Sequence, residues 1–97
     1  MMRNPEYTKL PEHMISGARL WIEEGIATGS FMLAVLENNL KESFIRADSI
    51  NRARLQDIVA FFYQEAPAAC WGSKEAIKEW RKLGGLRGIK EKADADG

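Results

Sequence analysis

A single cysteine, a single histidine and only three prolines among 97 residues narrow the ways in which this chain can fold or act. Cys70 has no partner within the chain, so no internal disulfide framework staples the domain. One thiol and one imidazole, Cys70 and His13, are too few for a structural zinc site. Charge of one sign is also lacking: Lys and Arg number 14, and so do Asp and Glu. No whole-molecule field therefore draws nucleic acid or an anionic membrane to the chain, and any such attraction has to come from a local patch. No apolar run approaches the ~18 residues of a membrane span, and Met1 to Tyr7 lacks the apolar stretch of a signal peptide. The sequence reading therefore expects no membrane crossing, no secretion by that route, and a reducing cytoplasmic home.

What is present is the composition of a folded domain, 45% hydrophobic and 29% charged, close to globular averages. A chain of this length has room for one core and buries roughly 60–65% of its unfolded surface, which leaves modest stability and an incentive to associate. The spacing of apolar residues is helical throughout, with no alternation of the strand type. The expected fold is all-α, a compact single-domain bundle of four to five helices, with an N-terminal arm at 1–9, a helical domain at 10–85 and a flexible charged tail at 86–97.

The first helix is expected over Leu10 to Glu24, with Pro11 in the first turn, where its missing N–H costs nothing, and Gly25 ending it. Leu10, Met14, Ala18, Trp21 and Ile22 form its inward stripe. Leu20 lies off that stripe beside His13 and Gly17 and marks a second contact surface. The second helix, Phe31 to Glu37, is apolar all round, as suits a central helix or one covered by another chain. Together these features predict a homo-oligomer. Asn39 with Glu42 caps a third helix, Leu40 to Ala47, and Asp48 caps a long fourth one, Ser49 to Glu65, which stops before Pro67. Leu55, Ile58, Val59 and Phe62 define the inner face of the fourth. Ser73 caps a last helix, Lys74 to Leu83, with Ile77, Trp80 and Leu83 inward and Gly84-Gly85 ending it.

Asn51 is the main polar anomaly, because it falls on the inner face of the long helix in line with Ile58 and Phe62, and a buried amide needs partners. Two readings stand side by side. In one, its amide joins the helix-start network around Asp48 or caps a neighbouring helix. In the other, Asn51, Asp48, Arg46, Asn38 and Asn39 surround a polar pocket where helix ends meet, with amide and guanidinium groups suited to a base edge, ribose or phosphate. Arg19, on the flank of the first helix, is either a solvated arginine with a packed stem or an anion ligand acting with Ser30 and the Thr28-Gly29-Ser30 turn. Neither His13 nor Cys70 has a partner in sequence that points to nucleophilic chemistry. No carboxylate set recurs at metal-ligand spacing, so neither cofactor nor metal is expected. The last helix and its extension carry Lys74, Lys78, Arg81, Lys82, Arg87 and Lys90, a locally basic stretch beside Trp80. That is the one nucleic-acid signal, and it competes with the ordinary solvated face of a helix.

Seven short segments carry a resemblance. Leu10-Pro11-Glu12-His13-Met14, Gly29-Ser30-Phe31, Ala34-Val35-Leu36, Asn38-Asn39-Leu40, Arg46-Ala47-Asp48, Asn51 and Trp71-Gly72-Ser73 resemble the recurring pattern of a group of small uncharacterised proteins from tailed phages and prophages, over most of residues 10 to 80. In that pattern an acid commonly follows the first asparagine and a proline precedes the glycine; Asn39 and Thr28 depart from it. The resemblance implies a viral origin, a site of action in the host cytoplasm and no established activity. By analogy with short viral proteins that act by stoichiometry, it implies a non-catalytic binding protein. Such a protein would be a counter-defence factor that sequesters a nucleotide-like host signal or inhibits a host protein, and the alternative is a phage nucleic-acid-binding or assembly accessory protein.

Overall fold

Short polar side chains and glycines set most of the helix ends. In the computed structural model, which describes residues 5–27 and 29–96, the described residues form seven α-helices: α1 Glu12–Glu24, α2 Ser30–Leu36, α3 Leu40–Arg46, α4 Ser49–Ala53, α5 Leu55–Gln64, α6 Lys74–Leu83 and α7 Gly85–Asp96. Single 3₁₀ turns at Tyr7–Lys9 and Ala68–Cys70 complete the described elements, and none of these is a strand. Asn39 accepts from the Glu42 N–H at the start of α3, Asp48 from the Asn51 N–H at the start of α4, and Ser73 from the Ala76 N–H at the start of α6. Each satisfies a donor that the first helical turn leaves without an intrahelical partner. Thr28 lies outside the described residues, and α2 begins at Gly29 without a side-chain cap hydrogen bond.

The all-α class and the single body are as the sequence reads; the radius of gyration, 13.3 Å, is that of one compact domain of about 100 residues. Seven helices replace the expected four to five for two reasons. The long helix expected from Ser49 to Glu65 breaks at Arg54, whose backbone leaves helical geometry at φ −107° and ψ 13°. The hydrogen-bond chain nevertheless runs through the break, from the Arg54 N–H to the Ile50 carbonyl and from the Ile58 N–H to the Arg54 carbonyl. The Arg54 guanidinium reaches both Asp57 Oδ2 at 2.8 Å and the Lys9 carbonyl at 3.3 Å, tying the bend to the N-terminal segment.

The second reason is α7, which occupies residues read from sequence as a flexible charged tail. Gly84 and Gly85 both have positive φ, 77° and 69°, so they reverse the chain rather than release it. Gly85 lies so close to the end of α1 that a Cβ there would meet the Glu23 carbonyl carbon and the Glu24 nitrogen at 2.5 Å. α7 packs along α1, with Leu86 against the core and Arg87 Nη1 bonded to Glu24 Oε1 at 3.0 Å. Tyr7, read as part of an N-terminal arm, is buried and its ring tilts against Phe61.

The core is built from the expected stripes. Met14, Ala18, Trp21 and Ile22 of α1, most of α2, Ile58 and Phe62 of α5, and Ile77 and Trp80 of α6 are buried together with Phe61. Leu83 is a correction: expected inward, it is exposed, because α6 ends there and the chain turns away toward α1. No helix among the described residues is long and apolar enough to cross a membrane.

Candidate functional site

Asn51 is buried, 7% exposed, and its two polar ends do different things. Its backbone N–H donates to Asp48 Oδ1 at 2.7 Å, forming the α4 cap. Its side chain turns the other way and meets His13 on α1: His13 Nε2 lies 2.8 Å from Asn51 Oδ1. An amide oxygen only accepts, so the imidazole donates through Nε2–H and a neutral ring keeps Nδ1 as an acceptor. The cap therefore survives loss of the Asn51 side chain, and the amide is committed to the His13 pair.

That pair stands at the edge of a cleft of about 390 Å³. Met14 and Leu20 from α1 and Phe31 and Met32 from α2 supply apolar walls, and Ser16, Gly17 and Gly29 complete the lining. The second contact surface seen in the sequence, His13 with Gly17 and Leu20, is one wall of this cleft. The site thus takes one residue of the expected cluster and joins it to His13, to which sequence reasoning gave no partner. The signal that points there is the helical spacing of His13, Gly17 and Leu20 off the core stripe of α1.

The other expected residues are placed elsewhere. Asn39 caps α3, and Asn38 ends α2 with a positive φ of 61°, a conformation that asparagine tolerates better than most residues. Arg46 pairs with Glu42 one turn earlier on α3, at 2.9 Å and in solvent. None of Asn38, Asn39, Arg46 and Asp48 lines the cleft with Asn51, so the polar pocket expected at meeting helix ends resolves into separate caps and one exposed ion pair. Arg19 does not join Ser30. Its guanidinium stacks 4.8 Å from the Tyr7 ring centroid and lies 3.6 Å from Glu23 Oε2. Ser30 is exposed within the first turn of α2, and the N-cap position belongs to Gly29.

A second recess of about 420 Å³ lies between α2 and α6. Lys74, Lys78, Arg81 and Lys82 rim it, with Glu37 as the opposing charge and Leu33 and Ile77 as its floor. Spacings of three and four residues bring these cations to one side of α6.

Burial governs the two groups whose acidity is shifted. Cys70 is fully buried, and burial pushes its thiol up to about 12, which leaves it protonated and a poor nucleophile at neutral pH. Burial first, and then the hydrogen bond to Glu23 Oε2 at 3.1 Å, raise the Tyr7 hydroxyl above its ordinary range. Among the described residues no group of three or more His, Cys, Asp and Glu side chains gathers in metal-binding geometry. No family model matches the chain, no curated protein matches it, and no solved structure matches its fold.

Proposed function

We propose that this chain is a non-catalytic binding protein of the phage or prophage kind, a counter-defence factor that sequesters a nucleotide-like host signal. The observation that carries the reading is the His13–Asn51 pair at 2.8 Å beside an apolar-walled cleft. Leu20 and the cleft-facing edges of the buried Phe31 and Met32 offer apolar contact to a nucleobase, while the amide and imidazole at the edge offer hydrogen bonds to a base edge. The resemblance over residues 10 to 80 supports the viral part of the proposal, since the cleft residues His13, Met14, Phe31 and Asn51 fall within its segments.

The test is isothermal titration of the purified chain with purine and pyrimidine mononucleotides and with short cyclic oligonucleotides. Saturable binding by at least one, weakened ten-fold or more in Asn51→Ala and in His13→Ala while both variants stay folded, is the expected result. No heat from any of them at millimolar concentration overturns the nucleotide reading.

The nucleic-acid reading is favoured by one separate observation, the four cations that rim the recess between α2 and α6. A phosphate backbone tracking that recess gives an affinity that falls steeply with salt. Fluorescence anisotropy with labelled single- and double-stranded DNA and RNA, repeated with Lys78→Ala and Arg81→Ala, separates the two sites. Loss of binding in these variants but not in Asn51→Ala assigns the activity to α6.

A further inference from the structure

We infer that the face formed by α3 and α5 is a two-fold contact between two copies of this chain. On α3, Leu40 and Phe44 stand one turn apart; on α5, Leu55, Val59 and Tyr63 do the same over two turns, so each helix presents an apolar stripe. The stripes are brought together, because Leu40 lines a groove of about 490 Å³ with Leu55, Val59 and Tyr63. Its two walls protrude: Leu40 is 72% and Tyr63 80% exposed, and Phe44 on the same α3 stripe is 53% exposed. The Arg52 guanidinium lies over the Phe44 ring, 4.9 Å from its centroid, as a cation–π contact.

The area argues for a protein partner. Leu40, Phe44 and Tyr63 are each more than half exposed, and an aromatic side chain carries ~150–250 Å². Floored by the partly buried Leu55 and Val59, these three leave on the order of several hundred Å² of apolar surface, at the upper end of what a lone small domain exposes. With a polar rim this approaches the ~800 Å² per partner of a standard interface.

The charge argues that the partner is a second copy. The chain has no net charge, 14 cations against 14 anions, so two copies approach without long-range repulsion. At the rim the charges are already closed in pairs, Glu42 with Arg46 at 2.9 Å and Arg54 with Asp57 at 2.8 Å. Arg52 beside them is held by the Phe44 ring and by the Ala47 carbonyl at 3.4 Å, so most of the rim charge is engaged within the chain and apolar contact is the main attraction that the face offers. The shape suits an isologous contact, in which one patch meets itself. A groove with a protruding tyrosine on its wall is self-complementary, so that Tyr63 of one copy enters the groove of the other and the partner's Tyr63 does the reverse. Each phenol then keeps its hydroxyl toward water.

Sedimentation equilibrium of the full chain from about 1 to 100 µM tests this inference. A mass of two chains at the upper end is expected. Leu40→Lys/Tyr63→Lys together, and Phe44→Ser separately, weaken the dimer ten-fold or more while the helical circular dichroism signal stays unchanged. Both α3 and α5 positions are solvent-exposed, so the polar side chains leave the fold intact. Ile26→Lys, an exposed apolar residue in the α1–α2 connection, leaves the dimer as it is. A one-chain mass throughout overturns the inference and gives the face to a different protein. A dimer that survives both face variants, or that Ile26→Lys disrupts equally, also overturns it.

Discussion

The indole N–H of Trp80 donates to the backbone carbonyl of Trp21 at 2.9 Å, and both side chains are almost fully buried. Trp21 in turn donates its own indole N–H to the Cys70 carbonyl at 2.8 Å. Two bonds thus connect α6, α1 and the 3₁₀ turn before α6, where each buried polar group finds its partner. Trp80→Phe removes one donor and leaves a void. The Trp21 carbonyl still accepts from the Gly25 N–H, so the loss is that of one bond plus the missing ring volume. Chemical denaturation is expected to show a cost of about 2–4 kcal/mol. Trp21→Phe belongs in the same range, and a change below about 1 kcal/mol for either would show that the connection does not hold the three segments.

Gly84 and Gly85 are adjacent and both adopt positive φ, yet they are expected to respond differently to alanine. At Gly84 a Cβ meets its nearest neighbour, Gly88 Cα, at 3.4 Å, an ordinary contact. Gly84→Ala therefore carries only the conformational cost of about 1–2 kcal/mol. At Gly85 the same atom runs into the α1 backbone at 2.5 Å, and backbone cannot swing aside. Gly85→Ala has to separate α7 from α1, and its loss in thermal or urea unfolding is expected to exceed that of Gly84→Ala by about 2 kcal/mol or more. Equal losses would mean that α7 does not sit on α1 as closely as the structure places it.

What the sequence shows, and what it hides, divides along local and non-local lines. Asp48, Asn39 and Ser73 are legible as caps because a cap is made within three residues of itself. The α1 stripe is legible because its period is set by the helix alone. The break at Arg54 is not, since its guanidinium reaches Lys9, 45 positions away. α7 is hidden for a similar reason: its charged sequence has little to bury, and its place comes from the contact of Gly85 with Glu23 and Glu24. For the candidate site, the polar anomaly at Asn51 is readable, whereas its partner is 38 positions distant. Arg46, Asn38 and Asn39 look like members of the same cluster only because they are close in sequence.

The structure also implies alkaline sensitivity. Cys70 has its thiol raised from an ordinary value near 9 to about 12 by burial, and Tyr7 is raised above its ordinary 10. Above pH 9 the unfolded chain releases the thiol proton while the folded chain keeps it, so the unfolded state binds fewer protons and stability falls as pH rises. Below that value both states are protonated and the contribution is complete. The expected slope is about 1 kcal/mol per pH unit between roughly pH 9 and 11, with Tyr7 adding to it at the upper end. Urea unfolding across pH 7 to 11 reads this slope, and Cys70→Ala is expected to make it shallower. The same burial makes alkylation of the folded protein at pH 8 far slower than that of the unfolded chain.

Asp48→Ala and Asn51→Ala separate capping from binding. Asp48 Oδ1 accepts from the backbone N–H of residue 51, which alanine at 51 retains. Asp48→Ala is therefore expected to cost about 1 kcal/mol of stability and to leave the cleft lining intact. Asn51→Ala removes the acceptor of His13 and keeps the cap. Paired melting and titration experiments are expected to show Asp48→Ala moving the melting temperature alone and Asn51→Ala moving ligand affinity. Affinity lost in both variants would tie the cleft to the geometry of α4 as a whole.

Truncation distinguishes the part of α7 that holds α1 from the part that merely continues the helix. Leu86 packs on the core and Arg87 bonds Glu24, whereas residues 90 to 95 are exposed. A chain ending at Ile89 keeps the contacts of Gly85, Leu86 and Arg87 and gives up only solvated turns. Its loss is expected to stay within about 1 kcal/mol, equivalent to a fall of about 4–8 °C in melting temperature at this size. A chain ending at Gly84 uncovers the apolar surface that Leu86 and the start of α7 bury, including the end of α1 beneath Gly85. Full burial of a large aliphatic side chain contributes about 1.5–3 kcal/mol; the partly buried Leu86 contributes a share of that and the uncovered end of α1 adds to it, so the melting temperature is expected to fall by about 10 °C. If both truncations melt like the full chain, α7 contributes nothing to the stability of the body. If the chain ending at Ile89 already loses as much as the chain ending at Gly84, the holding contacts lie beyond residue 89 rather than in the first turn.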